Sequence, residues 1–176
     1  EEYEVRQTFE RKQNAKLIIG DIVYEFTNSE DWFDDKAFQI DFYIHIENIG
    51  HAVAENYKMM LNMKGGPTGI KYTFDRDKKY VITKQGDSTS TISTSSSFPI
   101  YPEEHVNGMK IGLTIPMSYH EDINDLELSI TLFQAGSKEQ ISIKPGDSLH
   151  DLIMTNINPE YKRQKEEDKQ LKLDQQ

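Results

Sequence analysis

Residues 37–47 read AFQIDFYIHIE, with Phe38, Ile40, Phe42, Ile44 and Ile46 on every second position and Gln39, Asp41, Tyr43, His45 and Glu47 between them. A period of two with one dry and one wet face predicts a half-buried β-strand. The pattern stops at Asn48-Ile49-Gly50 and the chain resumes at Ala54-Glu55-Asn56. That break predicts a structural turn built on Asn48 and Gly50, with Gly50 at a positive φ.

The same period recurs along the chain. Residues 16–26 predict a first strand, and Gly20 a bulge that changes which side chains face inward. Residues 55–63 place Tyr57, Met59, Leu61 and Met63 on one face. Residues 69–74 offer Ile70, Tyr72 and Phe74, and Tyr80 with Ile82 continue after a turn at Asp75-Arg76-Asp77. Met109, Ile111, Leu113, Ile115 and Met117 predict another inward face, as do Leu126, Leu128, Ile130 and Leu132; Ile141 and Ile143 end the series. The low-complexity stretch 86–98, GDSTSTISTSSSF, predicts an edge strand or a loop. Residues 147–154, DSLHDLIM, predict a short helix, with Ser148 and Asp151 in a capping arrangement and Leu149, Leu152 and Ile153 on one face.

No long helical pattern separates these strands, so parallel crossovers are excluded. The series predicts a mainly β chain, an antiparallel β-sandwich of seven to eight strands with short flanking helices, and a closed barrel is the rival arrangement. The predicted boundaries are a charged helical lead-in over 1–14, the sandwich over 15–158, and a polar helical or disordered tail over 159–176, with Pro159 suited to a first helical turn.

Composition narrows the function classes. The 176 residues carry a net charge of −10 and no cysteine. Disulfides and thiolate zinc sites are therefore absent, and a general nucleic-acid surface, which needs a basic stripe, is disfavoured. Residues 1–14 hold four acids and three bases and residues 159–176 five of each, so most of the net charge lies between them. No apolar run approaches the roughly 20 residues of a membrane span. The chain opens at Glu1 and reads as a piece of something longer. Its compartment is open, with the cytosol slightly favoured over a membrane-anchored or cell-surface setting.

Catalytic patterns are missing. There is no Gly-x-Ser-x-Gly elbow, and Lys64-Gly65-Gly66-Pro67-Thr68-Gly69 lacks phosphate-loop spacing and reads as a turn. The nearest metal-like group is His120-Glu121-Asp122, but adjacent residues on an extended chain point apart, so a polar loop without metal or cofactor is expected. His45, His51, His105 and His150 have no local histidine partner and predict exposed or locally bonded rings. Tyr43, Met60 and Phe133 fall on wet faces and, if neighbours, would form an apolar patch. Trp32, in the acidic loop SEDWFDD, predicts a plug for the end of the sandwich or part of such an interaction surface.

The run IENIGHAVAENYKMMLNM, with Asn48, Gly50, Ala54 and Asn56, resembles immunoglobulin-like bacterial accessory domains, as do IYPEEHVNGMKIGLTIPM and LELSITLFQAGSK. The resemblance covers about 15–145 and implies an immunoglobulin-like sandwich. The junction FERKQNAKLIIGD resembles, more loosely, the C-terminal β-domain that follows Schlafen/AlbA-type ATP-binding domains. None of that family's ATP-binding residues transfers to this chain. The expected function is a non-catalytic interaction or oligomerisation module of a larger bacterial protein, contacting a protein partner or itself. The alternatives are a ligand-binding module for carbohydrate or Ca²⁺ using the acidic loops 29–35 and 120–125, or an extracytoplasmic domain of a membrane-anchored protein. An enzyme is not expected.

Overall fold

The computed structural model describes residues 14–27, 37–65, 70–75, 78–85, 89–96, 98–116, 122–135 and 137–176. Nine strands lie among them: β1 (Leu17–Thr27), β2 (Ala37–Asn48), β3 (Tyr57–Lys64), β4 (Lys71–Phe74), β5 (Tyr80–Gln85), β6 (Thr89–Ser96), β7 (His105–Pro116), β8 (Glu127–Gln134) and β9 (Ser137–Ile143). A 3-10 turn, Asp122–Asp125, precedes β8, and helices α1 (Gly146–Ile157) and α2 (Pro159–Asp174) follow β9.

The strands form two antiparallel sheets, β1-β2-β7-β4 and β5-β6-β3-β8-β9. In an immunoglobulin frame, β1, β2, β7 and β4 take the positions of A, B, E and D, and β3, β8 and β9 those of C, F and G. β5 and β6 extend the second sheet beyond β3. Their chain order departs from that frame, because the D-position strand β4 precedes both of them. The inward faces expected for β2, β3, β7 and β8 are buried, and so are Leu149 and Ile153 of α1.

Expectations for one strand and one helix are corrected. Residues 89–96 form an inner strand, paired to both β3 and β5. Ser90 and Thr94 point inward beside Ile92 and are buried. Their hydroxyls are paired: Tyr72 Oη donates to Ser90 Oγ at 3.0 Å and Thr94 Oγ1 donates to Lys79 O at 2.9 Å. Low complexity hid an inward face made of small hydroxyls. In α1, Ser148 caps nothing: the helix starts at Gly146, and Leu149 N–H bonds to Pro145 O at 2.9 Å.

The two open sides of the sandwich are closed differently. At β4 and β5, Tyr72, Phe74 and Tyr80 stack in sequence, with centroids 6.4 and 4.6 Å apart. Between β1 and the β8–β9 hairpin, Leu17 N–H donates to Gln134 Oε1 at 3.0 Å and Ile19 N–H to Glu139 Oε2 at 3.1 Å. Those amides belong to an edge strand, which would otherwise offer them to another chain.

Asn48 is fully buried at the end of β2. Its Nδ2 donates to Ala52 O and Ile100 O, both at 2.8 Å, and its Oδ1 accepts from Gly50 N–H at 3.0 Å and Lys16 N–H at 3.3 Å. Glu103 N–H bonds to Asn48 O at 2.8 Å. The turn is thus made by a side chain. Gly50 does not have a positive φ; among the described residues that conformation occurs at Gly65, Asn56 and Glu103. Glycine is needed at 50 because a Cβ there would run into the backbone of Asn14 and Lys16.

α2 is tied to α1 by Asp151, which accepts from Tyr161 Oη at 3.0 Å and pairs with Lys165. Lys165, then the Tyr161 hydroxyl, holds the Asp151 carboxyl below its usual range against partial desolvation. None of the α2 side chains is buried.

Two outcomes follow. Gly50→Ala lowers stability by about 2 kcal/mol or more through overpacking, and Asn48→Ala by at least about 3 kcal/mol through unpaired buried groups; urea unfolding measures both. Because the folded Asp151 pKa lies below 3.8, the tether is complete well above that pH and is lost as pH falls through the depressed value. Asp151→Asn therefore lowers the protection factors of the α2 amides at neutral pH, as acid does in the parent once exchange is normalised to its intrinsic rate, while global stability changes by less than about 1 kcal/mol.

Candidate functional site

Two bulges meet at His45. On β1 the register passes from Ile19↔Ile46 to Ile22↔Ile44, so Gly20 and Asp21 together stand opposite His45, one residue more than a regular ladder holds. On β7 it passes from Ile44↔Met109 to His45↔Asn107, leaving Gly108 unpaired. Bulges bend a strand and re-aim its side chains. Gly20 was expected to bulge; the β7 bulge was not. Gly108 packs against Met59 Sδ with no room for a Cβ, and Lys78 Nζ donates to Asn107 O at 2.5 Å and Gly108 O at 2.8 Å.

The result is a cluster on the outer face of the four-stranded sheet. His105 Nε2 lies 3.0 Å from Asp21 Oδ1, and His45 Nδ1 lies 3.4 Å from the same oxygen. The two rings meet edge to face with centroids 4.7 Å apart. His45 Nδ1 is buried and its contact with Asp21 lacks hydrogen-bond alignment, so it has no hydrogen-bond partner. The Asp21 carboxyl is held below its usual range, first by its own backbone amide and then by the His105 ring. Asp21 and His105 are 64% and 45% exposed at the side chain and His45 20%, so the cluster opens to solvent on one side. Chemically it offers two imidazole nitrogens and a carboxylate oxygen. The sequence showed the wet face and one bulge, but no spacing connects positions 21, 45 and 105.

The other residues singled out from sequence are scattered. Tyr43 lies on the outer face of the four-stranded sheet, with Lys110 Nζ 5.2 Å from its ring centroid. Burial, then Glu25, raises its hydroxyl above the usual range. Met60 and Phe133 lie on the outer face of the other sheet, where Lys138 Nζ sits 5.8 Å from the Phe133 ring centroid. The three therefore do not form one patch, because the core separates Tyr43 from the other two. Trp32, His120 and Glu121 lie outside the described residues, as do 1–13, and Asp122 begins the 3-10 turn. Asn48 and Gly50 form the structural turn. A cavity of about 760 Å³ runs along the β1/β9 side, lined in part by Leu17, Gln134 and Glu139. No described helix is long and apolar enough to cross a membrane.

No protein-family model and no curated protein matches the chain. Among solved structures, a Bordetella pertussis protein assigned as ApaA has 9% identity and a TM-score of 0.37, covering 74% of this chain and 90% of its own. The carbohydrate-binding module CBM3b from cellobiohydrolase 9A of Clostridium thermocellum has 12% identity and a TM-score of 0.37, covering 72% and 99%. AvmM, which catalyses macrocyclisation in alchivemycin A biosynthesis, has 11% identity and a TM-score of 0.32, covering 70% and 87%. These likenesses are too distant to add to what the strand pairing shows: an antiparallel β-sandwich.

The Gln134 and Glu139 bonds give a further expectation. The double variant Gln134→Ala/Glu139→Ala speeds hydrogen exchange at the Leu17 and Ile19 amides and lowers stability by about 1–2 kcal/mol. Unchanged exchange at both amides would remove the edge-covering role.

Proposed function

We propose that this chain is a non-catalytic interaction module of a larger protein that engages another protein chain by strand addition at β5, with a second copy as the first partner to test. The observation that carries this reading is the contrast between the sheet edges. At the start of β1 the Leu17 and Ile19 amides are covered by Gln134 and Glu139. β4 is only four residues long. β9 carries two charges, Lys138 and Glu139, against the single Lys84 of β5, and charges discourage pairing. β5 is six residues long, reads YVITKQ, and exposes Val81 by 62% and Ile82 by 38% on its two faces. A β-branched edge with apolar side chains on both faces suits an added strand, backbone bonds supplying affinity and Val81 and Ile82 the side-chain contacts. A two-fold pairing of β5 with β5 is the self-association form.

The bacterial accessory-domain reading, with the looser Schlafen/AlbA-type relation, belongs to this proposal. Light scattering after size exclusion tests it. The parent associates as concentration rises, Val81→Lys shifts the equilibrium to monomer, and Val23→Lys, on the far sheet, leaves association as in the parent. A monomer at every soluble concentration, or association insensitive to Val81→Lys, counts against the β5 edge as a self-association site.

A further inference from the structure

The geometry points to a divalent transition-metal site formed by Asp21, His45 and His105, with zinc as the fitting ion. Imidazole nitrogen and carboxylate oxygen are a borderline donor set, suited to zinc rather than to calcium, which takes oxygen ligands only. Tetrahedral zinc with bonds of about 2.0–2.1 Å spaces its ligand atoms roughly 3.3 Å apart. Here His105 Nε2 and His45 Nδ1 lie 3.0 and 3.4 Å from Asp21 Oδ1. All three ligand atoms lie within 4.8 Å of one another. An ion accepted among them needs movements on the order of an ångström.

Two independent features support the assignment. The buried His45 Nδ1 makes no aligned hydrogen bond, so in the Nε2–H tautomer its lone pair is free to coordinate a metal. The ligands come from three adjacent strands, β1, β2 and β7, of a rigid sheet, so little chain entropy is lost on binding. Three protein ligands and an open side leave a fourth position for water or for a group from another molecule. Glu47 stands directly across from His105 in the β2–β7 register and shares its face, adding negative charge beside the cation.

The experiment is calorimetric titration of the untagged 176-residue chain with Zn²⁺ alone, together with ¹⁵N spectra of the histidine rings. One Zn²⁺ binds per chain, and the ring shifts identify Nδ1 of His45 and Nε2 of His105 as ligands. Asp21→Asn, His45→Ala and His105→Ala each weaken binding by at least about tenfold, and His51→Ala leaves it unchanged. Asp21→Asn and His105→Ala alter exposed side chains, and their circular dichroism matches the parent, so lost binding is not lost folding. Absence of stoichiometric binding, or binding that survives all three substitutions, overturns the assignment, as does ring ligation at His51, His120 or His150 instead.

Discussion

The buried amide of Asn48 is the constraint on which the rest of the sandwich depends. A primary amide has two donors and an acceptor with two lone pairs. All four are used, by Ala52, Ile100, Gly50 and Lys16. One side chain thereby fixes the start of β1, the turn after β2 and the Ala54–Ile100 bridge. The backbone of Asn48 also sets the level at which β7 begins, because its N–H bonds to Glu104 O at 3.1 Å and Glu103 N–H bonds back to its carbonyl. In a low-dielectric interior such a network is stable only when complete. Gly50 is part of the same device, since only a residue without Cβ lets the turn lie against Asn14 and Lys16.

From that fixed end, the register of β1, β2 and β7 runs to the two bulges at His45. Without them the ladder would be regular, and Gly20 and Asp21 would not both stand opposite His45. The histidine cluster is therefore a product of backbone irregularity in an otherwise regular sheet. It sits on the opposite outer surface from Met60 and Phe133, with the apolar core between. An event at one surface reaches the other only through packed side chains such as Met59, which touches the Gly108 bulge from the core.

Much of the architecture was legible because burial imposes a period of two. The inward faces of β2, β3, β7 and β8 follow from Phe38, Met59, Ile111 and Leu128 and their alternating neighbours. The Gly20 bulge was readable because alternation changes phase there. The inner strand β6 was not, since Ser90 and Thr94 satisfy their hydroxyls through bonds that sequence does not display. The positive φ assigned to Gly50 failed for a related reason: glycine marks both conformational freedom and close approach, and only the fold tells them apart. The site was illegible because its three residues share no local spacing. Pairing among three strands brings them together, and the second bulge leaves no mark on the pattern around Gly108.

The reach of the Asn48 bonds along the chain carries a kinetic consequence. Its partners at Lys16 and Ile100 are 32 and 52 residues away. Closing such loops costs chain entropy before any contact repays it, and folds dominated by distant pairings form slowly. The β8–β9 hairpin, joined by a short connection, can form early on local contacts. The amide knot can close only after β1, β2 and the segment before β7 have already met. Asn48 is thus a late fastening, one that slows the escape of the finished sandwich more than it hastens its assembly.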